Sequence, residues 1–338
     1  MWTEEKLDAL LTEPSDALVE DVKKIKGDIT VLGAGGKMGP TLCILAKKAA
    51  EKAGVKKRII AVSRFTDQYA TDLLCKNGVE TVSCDLLDNE KLYALEDTEN
   101  VIFMAGRKFG TSGAEWLTWG MNATLPAFAA DKFKGSSTVV FSSGNVYPIV
   151  PVSTGGSKET DPVGPIGEYT MSCLARERAF EYASQRYGTK ALIFRLNYAV
   201  DLRYGVLYDL ADKILKGAPI SLATPAFNCI WQGSANGIAI RSLLYASSPV
   251  KIMNVTGPET VSVKEAAQKL GKYLGKDPVF EGPEGTDAYL SNSAQAMKIF
   301  GRPAVDIDTL IRWQAEWILS GGRALGKPTH FEERKGSY

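Results

Sequence analysis

The sequence predicts an α/β protein: a doubly wound, mostly parallel sheet with helices on both faces and a smaller C-terminal lobe. Three observations predict it. Short apolar runs alternate with longer amphipathic stretches from residue 28 to residue 195. The stretches between runs have the length of crossover connections, which join parallel strands. A glycine-rich turn follows the first run and opens an alanine-rich stretch.

Residues 3–26 place Leu7, Leu10, Leu11, Leu18, Val22 and Ile25 at helical spacing, interrupted at Pro14-Ser15. They predict a helical extension, residues 1–26, ahead of the first strand. Strands follow at 28–32, 59–63, 80–84, 101–104, 137–142 and 191–195, with helices at 40–53, 66–77, 91–95, 115–131 and 168–187. These make a dinucleotide-type domain over 27–200. Beyond it, helices at 208–216, 236–245, 263–274 and 305–321 and one strand at 252–255 predict a less regular lobe over 201–326. The polar tail, 327–338, is expected either to be flexible or to lie along the surface.

Composition narrows the function. Forty Lys and Arg against thirty-nine Asp and Glu leave a net charge of +1, which gives no bulk attraction to nucleic acid or an anionic membrane. A single histidine, His330, excludes His-rich metal clusters and argues against a Ser/His/Asp triad, so no metal is expected. The five cysteines include no Cys-x-x-Cys pair and read as free thiols of a reducing compartment. With no signal-like N-terminus and no apolar run of membrane length, a cytoplasmic location is expected.

The run Ile29-Thr30-Val31-Leu32-Gly33-Ala34-Gly35-Gly36-Lys37-Met38-Gly39-Pro40 carries the strongest local signal. Gly33, Gly36 and Gly39 are spaced G-x-x-G-x-x-G, and Gly33 with Gly35 begins a G-x-G. Such glycines allow a tight turn out of a strand, a close approach to a diphosphate, and close helix packing. The helix that starts near Met38 turns its N–H groups toward the phosphates. Strand before, helix after and alternation beyond are the context of a Rossmann-type site. After the second strand stand Ser63 and Arg64 rather than an acidic residue, and Lys37 adds charge in the turn. That favours NADP and leaves NAD open. Asp85 reads either as an acceptor for the adenine amino group or as a helix cap.

With these pieces the chain resembles the extended short-chain dehydrogenases/reductases, the NAD(P)-dependent sugar epimerase/dehydratase group, over residues 27–322. Carrying the resemblance are the glycine turn, Cys84-Asp85-Leu86, Phe103-Met104-Ala105-Gly106 and Asn122. Further along come Val140-Phe141-Ser142-Ser143-Gly144-Asn145-Val146-Tyr147, Glu159-Thr160-Asp161-Pro162 through Pro165 to Tyr169, and Arg195-Leu196-Asn197. The resemblance implies hydride transfer with Tyr169 as acid–base group and Ser143 orienting the substrate oxygen. It implies that Leu86, Ala105 and Gly106 pass close to the cofactor and that Asn122 stands behind the site. Arg107, Gly144, Asn145, Asn197, Trp231 and Gln232 become candidate contacts for a small, sugar-like substrate. It also implies a homodimer through helices 115–131 and 168–187, although Met121, Leu125, Phe128, Leu174 and Tyr182 serve equally as internal core.

One position departs from the family's Tyr-x-x-x-Lys: Tyr169-Thr170-Met171-Ser172-Cys173 has cysteine where the lysine belongs. That lysine binds the nicotinamide ribose and lowers the tyrosine pKa from about 10. Cys173 does neither, and reads as a nucleophile or as a small buried residue. Arg176 and Lys158 are the nearby cations that could substitute, Arg176 being three residues from Cys173, but both read as solvent-facing, and Tyr147 as lining the pocket. The expectation is therefore an NAD(P)-dependent oxidoreductase, epimerase or dehydratase of sugars. The alternative is a dinucleotide-binding sensor or partner protein with impaired catalysis.

Overall fold

Seven parallel strands form one sheet: β1 (Ile29–Leu32), β2 (Ile59–Ser63), β3 (Glu80–Ser83), β4 (Asn100–Phe103), β5 (Ser137–Ser143), β6 (Lys190–Leu196) and β7 (Lys251–Val255). Their spatial order is β7-β6-β5-β4-β1-β2-β3. The chain winds outward from β1 in one direction and from β4 in the other. A crevice therefore opens beyond the C-terminal ends of β1 and β4, where such sheets bind ligands. The computed structural model describes residues 1–66, 68–108 and 113–336; the last two positions of the expected tail, 337–338, lie outside them.

Both faces of the sheet are covered, so its central strands are mostly apolar, whereas the edge strand β3, Glu80–Ser83, is not fully buried. On one face Val31, Phe141, Phe194 and Met253 pack against α2 (Asp16–Lys24) and α3 (Gly39–Lys52). Their sequence neighbours Leu32, Val140 and Ile193 point the other way. They join Leu125, Phe133 and Phe180 of the opposite helical layer. A separate core holds the C-terminal lobe, where α1 (Glu4–Leu11) delivers Trp2, Leu7 and Leu11. Trp2 meets Trp313 and Trp317 edge-on at 5.4 and 6.4 Å.

The N-terminal extension thus divides at Pro14. α1 ends at Leu11, and the Ser15 hydroxyl accepts from Leu18 N–H to start α2. One helix joins the lobe core and the other the sheet core. α4 (Gln68–Lys76) and α5 (Asn89–Tyr93) follow as short crossovers. The cap of α5 is Asp88, whose carboxylate accepts from Lys91 N–H; Asp85 instead accepts from Leu87 N–H in the preceding turn.

The helix expected over 115–131 is not regular. α6 (Glu115–Trp119) and α7 (Leu125–Lys132) flank a π turn at Gly120–Thr124. Pro126 has no N–H to give the carbonyl of Asn122, four residues back, and the chain widens there. Asn122, within the widened turn, is fully buried.

α8 (Glu168–Tyr187) precedes β6, and α9 (Val206–Lys216) opens the lobe. α10 (Gln232–Arg241) starts four residues before the expected 236 because Gln232 and Asn236 both donate to Thr41 of α3. α11 (Val263–Leu274) and α13 (Ile307–Leu319) match their amphipathic patterns, whereas α12 (Ala294–Phe300) was not legible as a helix. Nor were the two-residue strand pairs, such as Ile230–Trp231 beside Ala199–Val200.

The tail is not a loose surface segment. Phe331 is buried edge-on to Phe227, 6.3 Å between centroids. Thr329 N–H donates to Asp209 at 2.8 Å, and Arg334 pairs with Asp287 at 2.6 Å. Gly336 lies on Gly167, where a Cβ would come within 2.4 Å of the Gly336 carbonyl oxygen. One aromatic anchor and these polar ties carry the tail from the lobe to the start of α8.

Candidate functional site

The glycine turn is shaped by what it must approach. A Cβ at Gly33, whose φ is +88°, would lie 2.5 Å from the backbone of Ala105. A Cβ at Gly39 would lie 2.2 Å from the Ala34 carbonyl oxygen. These two glycines let the ends of β1 and β4 and the head of α3 close up. Gly35 and Gly36, by contrast, are exposed and leave a bare ledge before α3. No side chain caps that helix, and Pro40 has no N–H to satisfy. The ledge fits a diphosphate: side-chain-free backbone facing uncapped helix amides. At the far end of β2, Ser63 is half-buried against Gly35, and Arg64 is exposed. Asp85 and buried Leu86 follow β3.

At the other end of the crevice, Ser143 closes β5 and Tyr169 starts α8. The Tyr169 hydroxyl hydrogen-bonds with Ser143 and with Cys173. Ser143 Oγ also accepts from Asn145 N–H at 3.1 Å. Tyr169, Ser143, Asn145, Asn197, Met38 and Lys37 line one cavity of about 140 Å³, together with Lys108 and Thr329. Gly144 packs on Asn197, with no room for a Cβ beside Ser291 at 2.8 Å. The structure therefore brings together the glycine turn, the serine, the tyrosine and the candidate asparagines.

Asn122 holds this end of the crevice from behind. Its Oδ1 accepts from Arg107 N–H and from Arg176, and its Nδ2 donates to the Arg107 carbonyl and to Ser172 Oγ. Arg107 thus contributes backbone that fixes the segment after Ala105 and Gly106. Trp231 and Gln232 stand elsewhere. Trp231 is buried in the lobe core against Trp313, 5.7 Å between centroids, and Gln232 is buried against α3. Tyr147 does not line the cavity either. It is 1% exposed, donates to Asn254 at 2.9 Å and accepts from Arg195 at 2.6 Å.

Arg195 and Glu177 form a fully buried pair, 2.6 Å apart at their closest atoms. The Ser142 hydroxyl donates to the same carboxylate at 2.6 Å, so the pair ties β5, β6 and α8 together directly behind Ser143 and Tyr169. Glu177→Gln keeps the shape and leaves the guanidinium uncompensated. We expect a loss of about 3–5 kcal/mol in unfolding free energy by urea denaturation. A loss below about 1 kcal/mol, the value of an exposed pair, refutes this assignment.

Burial governs the protonation of the site. It raises the Tyr169 phenol well above its ordinary value; Cys173 adds to the rise, while Arg176 and the Ser143 hydrogen bond oppose it. Burial likewise raises the Cys173 thiol, the state of an inert cysteine rather than a nucleophile. Two lysines face the same cavity. Lys37 sits 3.4 Å above the Tyr204 ring and is pushed down to about 7, mainly by burial. Lys108 lies 5.9 Å from the Tyr169 ring centre, donates to the Thr329 carbonyl at 3.0 Å, and is pushed down to about 8 by burial. Sequence reasoning missed Lys108. It follows Ala105-Gly106-Arg107, and that adjacency was the available signal.

Among the described residues, no group of His, Cys, Asp and Glu is placed to hold a metal ion, and no helix is long and apolar enough to cross a membrane. All five cysteines are free, with Cys75 alone exposed.

No curated protein sequence matches the chain. Solved structures share the fold at low identity. A UDP-glucose 4-epimerase from Thermotoga maritima, crystallised with UDP-glucose, is 15% identical with a TM-score of 0.69, covering 87% of this chain and 99% of its own. A UDP-glucuronic acid 4-epimerase from Bacillus cereus, in complex with NAD, is 17% identical with a TM-score of 0.69 and the same coverage. A dTDP-glucose 4,6-dehydratase from Bacillus anthracis, in complex with NAD, is 15% identical with a TM-score of 0.72, covering 87% and 96%. The model of the NAD dependent epimerase/dehydratase family matches residues 29–255, from β1 through β7. With two thirds of its length matched and the glycine turn, the serine and the tyrosine assembled on one crevice, the chain belongs to the NAD-dependent epimerase/dehydratase family.

Proposed function

We propose that the protein is a nicotinamide-dinucleotide-dependent oxidoreductase or epimerase of a sugar or sugar derivative. Tyr169 is its acid–base group and Ser143 orients the substrate oxygen. The observation that carries the reading is the Ser143–Tyr169 hydrogen bond at the edge of a cavity that also touches the glycine turn. A bound dinucleotide supplies or accepts the hydride at its nicotinamide ring. The chain's own part is to seat the diphosphate on Gly35, Gly36 and α3, and to move one proton between Tyr169 and the substrate oxygen. Because burial keeps the resting phenol protonated, Tyr169 enters turnover ready to protonate a carbonyl oxygen. That supports the reductive direction.

Ser63 and exposed Arg64 support NADP over NAD. Calorimetry with the four oxidised and reduced coenzymes tests this, NADPH being expected tightest. Arg64→Ala should weaken NADP(H) binding by about tenfold or more, a charged hydrogen bond's worth, without weakening NAD(H). No heat with any coenzyme overturns the reading. Turnover is sought with a panel of nucleotide sugars and free sugars.

A second reading, a dinucleotide-binding sensor with little hydride transfer, draws on Cys173, which is buried at the lysine position. Ready turnover abolished by Tyr169→Phe rules it out; turnover gained only on Cys173→Lys supports it. A homodimer through α6 and α8 is part of the proposal. Trp116, 75% exposed, and exposed Met171 and Tyr182 supply an apolar surface for it. A monomer's mass by light scattering overturns that part.

A further inference from the structure

Arg176 is the oddest charge in the protein. It is 5% exposed, although its sequence context reads as a solvated helix surface. Its Nη1 donates to the Phe141 carbonyl at 2.7 Å and its Nη2 to Asn122 Oδ1 at 2.8 Å. Its Nε is buried without a partner, and no carboxylate among the described residues pairs with it. The guanidinium lies 5.7 Å from the Phe103 ring centre, beneath Gly106, where a Cβ would come within 2.6 Å of Nη2. Gly106 is thus the residue that makes room for this cation.

A buried charge without a counter-ion is costly, and its position says which negative charge it awaits. On α8, Tyr169, Cys173 and Arg176 stand at i, i+4 and i+7, one face of the helix. The neighbouring carboxylate, Glu177, is already committed to Arg195 and Ser142. Among the described residues, the remaining charged or titratable groups toward the phenol are Cys173 on α8, Lys108 after β4, Lys37 in the glycine turn and the phenols of Tyr198 and Tyr204 across the cavity. The Lys108 ammonium is engaged with the tail at Thr329, and that of Lys37 with Tyr204 and the Ala199 carbonyl. The field of Arg176 acts on both the Tyr169 phenol and the Cys173 thiol, lowering each against burial, and Lys108 also lowers the thiol.

We propose that Arg176 is the positioning residue that supplies, from the same face of α8, the positive charge the cysteine at 173 does not as Tyr169 gives up its proton. The proposal rests on the reading of Tyr169 as acid–base group. It also explains why a small residue is accepted at 173: a lysine there would bring a second cation beside the one already buried three residues on.

The test uses the full chain with bound coenzyme and whichever substrate the panel identifies. Arg176→Gln, and Arg176→Met as the apolar near-isostere, should each lower kcat by about tenfold or more and move the acid limb of the oxidative pH profile up by about one unit. Coenzyme affinity, read by nicotinamide fluorescence, should not change. Arg176→Lys should retain most of the rate, and Cys173→Lys should restore it in the Arg176→Met background. An unmoved limb overturns the proposal, as does a loss of coenzyme affinity equal to the loss of rate. A limb moved by Lys108→Met and not by Arg176→Met assigns the charge to Lys108 instead. A wild-type protein that binds coenzyme but turns over nothing until Cys173→Lys is introduced also overturns it, while leaving the family's site intact. Absence of coenzyme binding removes the functional reading itself.

Discussion

Tyr169→Phe should lower kcat by about 10²–10⁴-fold, the usual contribution of a positioned acid–base group, and leave coenzyme affinity where it was. The phenyl ring keeps the packing against Val146, Tyr147 and Cys173, so only the hydroxyl is removed. That hydroxyl is held by Ser143 on one side and Cys173 on the other. Ser143 in turn is fixed by Asn145 N–H at 3.1 Å. Ser143→Ala should therefore cost less than Tyr169→Phe, because in the proposed mechanism the serine orients and the tyrosine exchanges the proton. Steady-state kinetics with coenzyme titration measure both. Equal turnover by Tyr169→Phe and wild type places the proton transfer on another group.

The parts of the site made by short-range geometry were legible in the sequence. The glycine spacing between a strand and a helix pointed to the exposed backbone ledge before α3, and the serine ending β5 and the tyrosine opening α8 do meet on one cavity. Residues whose role depends on burial were not. Arg176 looked solvent-facing because its helix neighbours are polar, and nothing in the local pattern reports Asn122 and Gly106 folding over it. Asn122 itself faces inward through a π turn whose cause, Pro126, lies four residues on. Trp231 and Tyr147 looked like pocket residues and are core, since an aromatic side chain fits either setting and only packing decides. The tail has no periodicity at all. Its placement follows from Phe331 finding Phe227 and from charges that meet partners far away in sequence, as Lys213 meets Glu332 at 2.7 Å.

The same burial predicts how coenzyme binding depends on pH. Lys37 and Lys108 give up their protons at about 7 and about 8, against an ordinary 10.5. In both, burial is the largest cause, and for Lys37 the charges of Lys108 and Lys327 lower it further, against Asp201. A diphosphate near these lysines favours their charged forms, so binding takes up protons wherever they are neutral in the unliganded protein. Below about pH 7 both already carry charge and affinity is flat. Above it, each lysine that must be recharged costs up to about tenfold per pH unit. Affinity should fall by up to about 10³-fold between about pH 7 and about pH 9, two decades from Lys37 and one from Lys108, with net proton uptake in calorimetry across buffers of different ionisation enthalpy. Lys37→Met should remove the earlier part of the fall and leave one that begins near the Lys108 value of about 8. The sign for stability is opposite. The unfolded chain holds these protons up to about 10.5 while the native state releases them near 7 and 8, so the unliganded fold gains stability from these two lysines as pH rises through that window. Coenzyme affinity that stays constant from about pH 7 to about pH 9 would mean that neither lysine meets the diphosphate.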